Sequence, residues 1–155
     1  MPARTPPTVL VVDDDPHVLR LLGRVLEAAD LACVLTATAD EALDAMRWAL
    51  PNMLLIDYLL PKRTGADLYR EITEMLHGHP PAAVLVTGNL EETPRADIEI
   101  FADCIAKPFL PTDLIGRVQA VLATAPALRP TGVSLLPGAP AWFADDAASR
   151  DDPRA

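Results

Sequence analysis

The chain has 155 residues, half of them hydrophobic, a formal net charge of −9 and an isoelectric point near 4.6. That length fits one domain with a tail better than two domains. An acidic chain without clustered Lys and Arg argues against a nucleic-acid partner, which would need phosphate-neutralising patches, and no apolar stretch approaches the ~20 residues that cross a bilayer.

The N-terminal MPARTPPT lacks the apolar core of a signal peptide. The only cysteines, Cys33 and Cys104, fit a reducing compartment. The expected location is therefore cytoplasmic, with no membrane partner.

Elements follow in regular alternation. TVLVV (Thr8 to Val12) predicts a first, buried strand. Three aspartates follow; Asp15 reads as an N-cap with Pro16 in the first helical turn. Leu19, Leu22, Val25 and Leu26 then recur at helical spacing. ACVLTA (Ala32 to Ala37) predicts a second strand, and Thr38 with Glu41 a capping box that opens a helix stopped by Pro51. MLLID (Met53 to Asp57) is the third strand, and Thr64 caps a helix carrying Leu68, Ile72 and Met75. AAVLVT (Ala82 to Thr87) is the fourth strand, and Thr93 and Pro94 open a short helix to about Phe101. DCIAK (Asp103 to Lys107) is the fifth strand, followed by a helix from Pro111 through Leu114, Ile115, Val118, Val121 and Leu122.

Near-continuous apolar strands alternating with amphipathic helices imply an α/β domain, a doubly wound parallel sheet covered on both faces. In such sheets ligands sit outside the carboxyl ends of the strands. Asp13, Asp14 and Asp15, Asp57, Thr87 and Lys107 all fall at those ends. Crowded carboxylates repel one another, and a hard divalent cation such as Mg²⁺ offsets that repulsion with oxygen ligands. A lysine, a hydroxyl and a metal are also the parts that stabilise a transferring phosphoryl group, with an aspartate as nucleophile.

Taken singly, each feature has a plainer reading. Acidic residues favour helix N-termini, Asp57 and the Thr87–Gly88 pair are compatible with turns, and a lysine protects an edge strand. Their joint register is what favours the functional reading. His17 reads as a surface helix residue, and His77 and His79 as loop residues without further metal-ligand partners.

The ordered segments VVDDDP, LLIDYLLPKRTG, VLVTG and IAKPF resemble the receiver domain of bacterial two-component response regulators, over residues 8–124. The resemblance implies a flavodoxin-like (βα)5 fold with strand order 2-1-3-4-5. It implies Asp57 as acceptor of a phosphoryl group from a sensor histidine kinase or histidine phosphotransfer protein. Mg²⁺, with Mn²⁺ as an alternative, would be held by Asp13, Asp14, Asp57 and the backbone carbonyl of Leu59. Thr87 and Lys107 would contact the phosphoryl oxygens, and the Lys107–Pro108 bond would be cis. The expected product is a signalling module, not an enzyme beyond self-phosphorylation and self-dephosphorylation. It would be a monomer or weak dimer that binds a downstream protein through the face of the fourth helix, fifth strand and fifth helix.

Two further readings belong to other classes. One is the receiver half of a longer transcription factor. The other is an aspartyl-phosphate phosphatase, disfavoured because Leu59 stands where such enzymes commonly carry a second aspartate. The sequence also departs from the family at the switch position, where Cys104 replaces the usual Tyr or Phe; Phe101 or Phe109 are the nearby aromatic candidates to substitute for it. Residues 1–7 read as a flexible N-terminus. Residues 125–155 are rich in proline and acidic groups and read either as a disordered tail or as a docking segment anchored by Trp142 and Phe143.

Overall fold

The structure, a computed structural model, describes residues 4–124. The expectations for the tail, Trp142 and Phe143 included, lie outside the described residues. The strands are β1 (Thr8–Val12), β2 (Ala32–Thr36), β3 (Met53–Asp57), β4 (Leu59–Leu60), β5 (Arg63–Thr64), β6 (Ala82–Thr87) and β7 (Asp103–Ala106). The helices are α1 (Pro16–Ala28), α2 (Ala39–Trp48), α3 (Gly65–Met75), α4 (Arg95–Ile98) and α5 (Pro111–Thr124).

β4 and β5 form a separate two-stranded hairpin that the sequence reading did not anticipate. The other five strands make one sheet in the order β2-β1-β3-β6-β7, every pairing parallel. With the hairpin set aside, this is the expected 2-1-3-4-5 order and the flavodoxin-like arrangement.

The period of two in a strand sorts the core into two layers. Leu10, Val12, Leu54, Ile56 and Leu85 face one side, where α2 and α3 contribute Ala42, Met46, Leu68 and Ile72. Val9, Val11, Met53, Leu55, Val84 and Val86 face the other, where α1 and α5 contribute Leu22, Leu26, Leu114 and Val118. Both faces are covered, which is why the strands read as continuous apolar runs rather than alternating ones. No helix among the described residues is long and apolar enough to cross a membrane.

Local signals account for most helix starts. The Asp15 carboxylate accepts from the backbone N–H of His17 (2.8 Å) and Val18 (3.4 Å). Thr38 accepts from Glu41 N–H (3.1 Å), while the Glu41 carboxylate accepts from Ala37 N–H (2.8 Å). Thr64 accepts from Asp67 N–H (3.1 Å). Each such cap is worth about 1 kcal/mol. The fourth helix departs from expectation. It spans only Arg95–Ile98, and Thr93 does not cap it: the N-cap is Pro94, with no side-chain hydrogen bond. Beyond its end, Phe101 is buried and stacks on Tyr69, ring centroids 5.1 Å apart. The fifth strand stops at Ala106 instead of Lys107, although Lys107 N–H still donates to Thr87 C=O (2.8 Å). The Lys107–Pro108 bond is cis, as expected.

Cys33 on β2 and Cys104 on β7 sit on opposite edge strands of the sheet, which keeps them beyond bridging distance of each other.

Gly65 at the start of α3 is a steric requirement. A Cβ there would overlap the Asp57 carbonyl oxygen and lie 2.7 Å from Ile56 Cγ2. Its N–H donates to Tyr58 C=O (2.7 Å), so the helix begins directly against the end of β3. Gly65→Ala is therefore expected to lower stability by about 1–3 kcal/mol, the usual range for overpacking. Urea unfolding of the two proteins measures this, and an unchanged midpoint would contradict the close approach.

Candidate functional site

Three strands deliver charged groups to one edge of the sheet. Asp13 directly follows β1 and is held by its own backbone, whose N–H donates to Thr36 C=O (3.1 Å). Asp57 ends β3, opposite Val86 of β6. Lys107 follows β7, and its ammonium donates to Asp13 Oδ2 (3.0 Å) and pairs with Asp57 Oδ1 (3.2 Å). Asp13 and Asp57 are buried, at 2% and 8% exposure, and Asp14 is exposed. One carboxylate oxygen from each of Asp13, Asp14 and Asp57 lies within 4.8 Å of the others. Asp15 takes no part in this cluster; its carboxylate belongs to the cap of α1.

The electrostatics are uneven. Burial, reinforced by the negative charge of Asp13, raises Asp57 from the ordinary 3.8 to about 6, although Lys107 pulls the other way. Burial also works against the Lys107 charge, yet the hydrogen bond to Asp13 and the charge of Asp57 outweigh it and hold the ammonium above its ordinary range. One cation thus serves two buried carboxylates, with a third nearby. An all-oxygen donor set of this kind suits a hard divalent cation such as Mg²⁺.

The other sequence candidates fall around this cluster. Thr87 ends β6 and is 3% exposed. Its hydroxyl contacts the Thr93 hydroxyl (3.0 Å) and accepts from Asn89 N–H (3.3 Å). Leu59, two residues beyond Asp57, is 72% exposed. Cys104 is partly buried and packs against the α2–α3 side of the core. Phe101 is buried in that core and stacks on Tyr69, and Phe109 packs partly buried against the opposite layer. His17 lies on the surface of α1, where its ring contacts Arg20 (3.2 Å).

Two features escaped the sequence reading. Thr93, expected with Pro94 to open the fourth helix, instead bonds Thr87. Tyr58, next to Asp57, donates its hydroxyl to Asp97 of α4 (2.7 Å), which also pairs with Arg70 of α3 (2.7 Å). That contact spans 39 residues in sequence, and no local pattern announces it.

The fold and site together define a doubly wound α/β domain with a carboxylate–lysine–threonine cluster at its strand ends. The family model of the response regulator receiver domain matches residues 9–119. The chain belongs to that family, and is a receiver domain of two-component signalling. It is 36% identical over 118 residues to the transcriptional regulatory protein BaeR of Escherichia coli O6:H1, covering 75% of this chain and 48% of BaeR. It is 34% identical over 113 residues to an uncharacterized 14.6 kDa protein of Leptolyngbya boryana, covering 72% of this chain and 86% of that one. The response regulator TrrA of Thermotoga maritima, solved in complex with Mg²⁺-BeF, superposes with a TM-score of 0.67 at 20% identity, covering 74% of this chain and 98% of that one. The chain spans about half the length of BaeR and of the phosphate regulon regulator PhoB of Pseudomonas aeruginosa.

The raised Asp57 value has a consequence for stability. A carboxyl that binds its proton more tightly folded than unfolded destabilises the fold wherever it is ionised. The penalty is absent below about pH 4, grows between the ordinary 3.8 and about 6, and is complete above that. Asp57→Asn removes it. In metal-free buffer at pH 8 the variant is expected to melt higher than wild type, by roughly 3–6 °C for each ~1 kcal/mol relieved, with the gain gone at pH 4. Thermal melts across that range check the sign; a gain that grew towards low pH would contradict the burial of the charge.

Proposed function

We propose that Asp57 accepts a phosphoryl group from a phosphohistidine of a sensor kinase or histidine phosphotransfer protein. The observation that carries this reading is the Asp13–Asp14–Asp57 cluster bridged by Lys107 at the end of β3. A carboxylate oxygen of Asp57 attacks the phosphorus, the P–N bond to the imidazole breaks, and the histidine nitrogen leaves with the bonding pair. An aspartyl phosphate results.

Asp13 and Asp14, with Asp57 and the Leu59 backbone carbonyl, are the residues that would hold Mg²⁺ or Mn²⁺. When bound, the cation neutralises charge on the phosphoryl oxygens. Lys107 offers its ammonium to one phosphoryl oxygen in place of Asp57, and Thr87 offers its hydroxyl to another. The same machinery accounts for slow self-phosphorylation from a small phosphodonor and for self-dephosphorylation. The added charge then shifts the surface of α4, β7 and α5, and a downstream protein reads the change. A phosphatase reading is disfavoured: Leu59 brings an exposed apolar side chain where an acid/base carboxylate would be needed.

A second reading has its own support. BaeR is about twice as long as the matched segment, which favours a receiver that works within a longer transcriptional regulator. Both readings share the acceptor chemistry and differ in what the receiver controls.

Incubation with a small phosphodonor and Mg²⁺ tests the acceptor. Intact mass is expected to show one added phosphoryl group on wild type and none on Asp57→Asn; a persistent adduct on the variant would move the acceptor elsewhere. Asp14→Ala is expected to reduce Mg²⁺ affinity more than Asp13→Ala, because the reading gives Asp14 direct ligation and Asp13 ligation mainly through water. Calorimetric titration of each variant measures the difference, and an unchanged affinity in Asp14→Ala would remove that residue from the ligand set.

A further inference from the structure

The loop from Thr87 to Thr93 closes a ring of hydrogen bonds whose directions follow from proton counting. A hydroxyl has one proton to donate. The Thr93 hydroxyl donates its proton to Asn89 C=O (2.7 Å). The 3.0 Å contact between the two threonine hydroxyls is therefore donated by Thr87 and accepted by Thr93. Asn89 N–H donates to the Thr87 oxygen (3.3 Å) and completes the ring. Both hydroxyls are buried, Thr87 at 3% and Thr93 at 6% exposure. Thr93 N–H also donates to Asn89 C=O (3.1 Å), and the Asn89 side chain accepts from Glu92 N–H (3.2 Å), so the loop is braced around the ring.

We propose that Thr93 is a positioning residue that holds the Thr87 hydroxyl within its own loop, in competition with a phosphoryl oxygen on Asp57. The inference rests on the reading of Asp57 as acceptor and Thr87 as phosphoryl contact. Thr87 has a single proton, which cannot be given to Thr93 and to a phosphoryl oxygen at once. Engagement of the phosphoryl group therefore opens the ring at the Thr87–Thr93 bond. Thr93 precedes Pro94, the N-cap of α4, so opening the ring frees the residue that leads into that helix. Thr93 thus sets both how readily the phosphoryl group is engaged and how α4 responds.

The test uses the full chain with Mg²⁺ and beryllofluoride, a phosphoryl mimic, titrated by calorimetry. Thr93→Val keeps the shape and removes the acceptor for Thr87. It is expected to bind beryllofluoride roughly fivefold more tightly, the ratio one neutral hydrogen bond commands. Thr93→Ser restores the hydroxyl and is expected to match wild type, and Thr93→Ala, a second variant lacking it, to follow Thr93→Val. In a Thr87→Ala background, Thr93→Val is expected to change nothing, since the competing proton is gone; a purely structural role would persist there. Unchanged or weaker binding by Thr93→Val and Thr93→Ala, or an equal gain in the Thr87→Ala background, overturns the inference while leaving the acceptor reading intact. Absence of beryllofluoride binding by wild type overturns both.

Discussion

The Lys107 ammonium, shared between Asp13 and Asp57 at 3.0 and 3.2 Å, is the interaction on which the site's geometry depends. Its partners come from the ends of β1 and β3, and it follows β7 itself, so one side chain ties together three strands. Parallel strands make this feasible, because all their carboxyl ends open on the same edge. Yet one positive charge does not neutralise the group. Asp57 still sits near 6, against its ordinary 3.8, with Lys107 beside it. A buried acid left under-compensated is a cost to stability, and such costs are typical of functional sites. The hydrophobic layers on both sheet faces hold the strand ends together against this repulsion.

Close packing carries the constraint outward. α3 can start against the end of β3 only because Gly65 lacks a Cβ. Tyr58, immediately after Asp57, points its hydroxyl to Asp97 on α4. The Arg70–Asp97 pair is partly exposed, and exposed ion pairs contribute little alone. The Tyr58–Asp97 bond adds to it, and together they hold Asp97 below its ordinary range, with Tyr58 as the leading cause.

Much of this was legible before the structure. The bounds of β1, β3 and β6 coincide with the apolar runs, because strands buried on both faces leave little room for ambiguity. Caps at Asp15, Thr38 and Thr64 were readable because a cap is a local, side-chain-to-backbone event. The gathering of Asp13, Asp14, Asp57, Thr87 and Lys107 at one edge followed from topology. What failed was non-local or doubly purposed. Thr93 before Pro94 carries a helix-start signature, but its hydroxyl bonds Thr87 and Asn89, with Thr87 and Thr93 both buried beneath an otherwise exposed loop. The β4–β5 hairpin is too short to show a period. The Tyr58–Asp97 bond joins segments far apart in sequence and needs the fold to exist.

The fourth helix is the place where these threads meet. Among the described residues it is the shortest helix and contributes no fully buried residue of its own. Its entry adjoins the Thr87–Thr93 ring, and its body is tied through Asp97 to Tyr58, the residue beside Asp57. The first is a neutral hydrogen bond worth on the order of 1 kcal/mol and the second, to a carboxylate, about 1.5–3 kcal/mol, a scale suited to an element that shifts with a change at one strand end. An element anchored by a large apolar face would resist displacement by coupling energies of about 1–3 kcal/mol. Phe101 is buried on Tyr69 and Phe109 packs partly buried against the opposite layer, and the polar contacts of α4 join it to the edge that carries Asp57. Ile98 of α4 also packs at the margin of the core, so its position rests on these donors and acceptors together with that partial apolar contact, and a change in the bonding of Thr87 or Tyr58 bears on it directly.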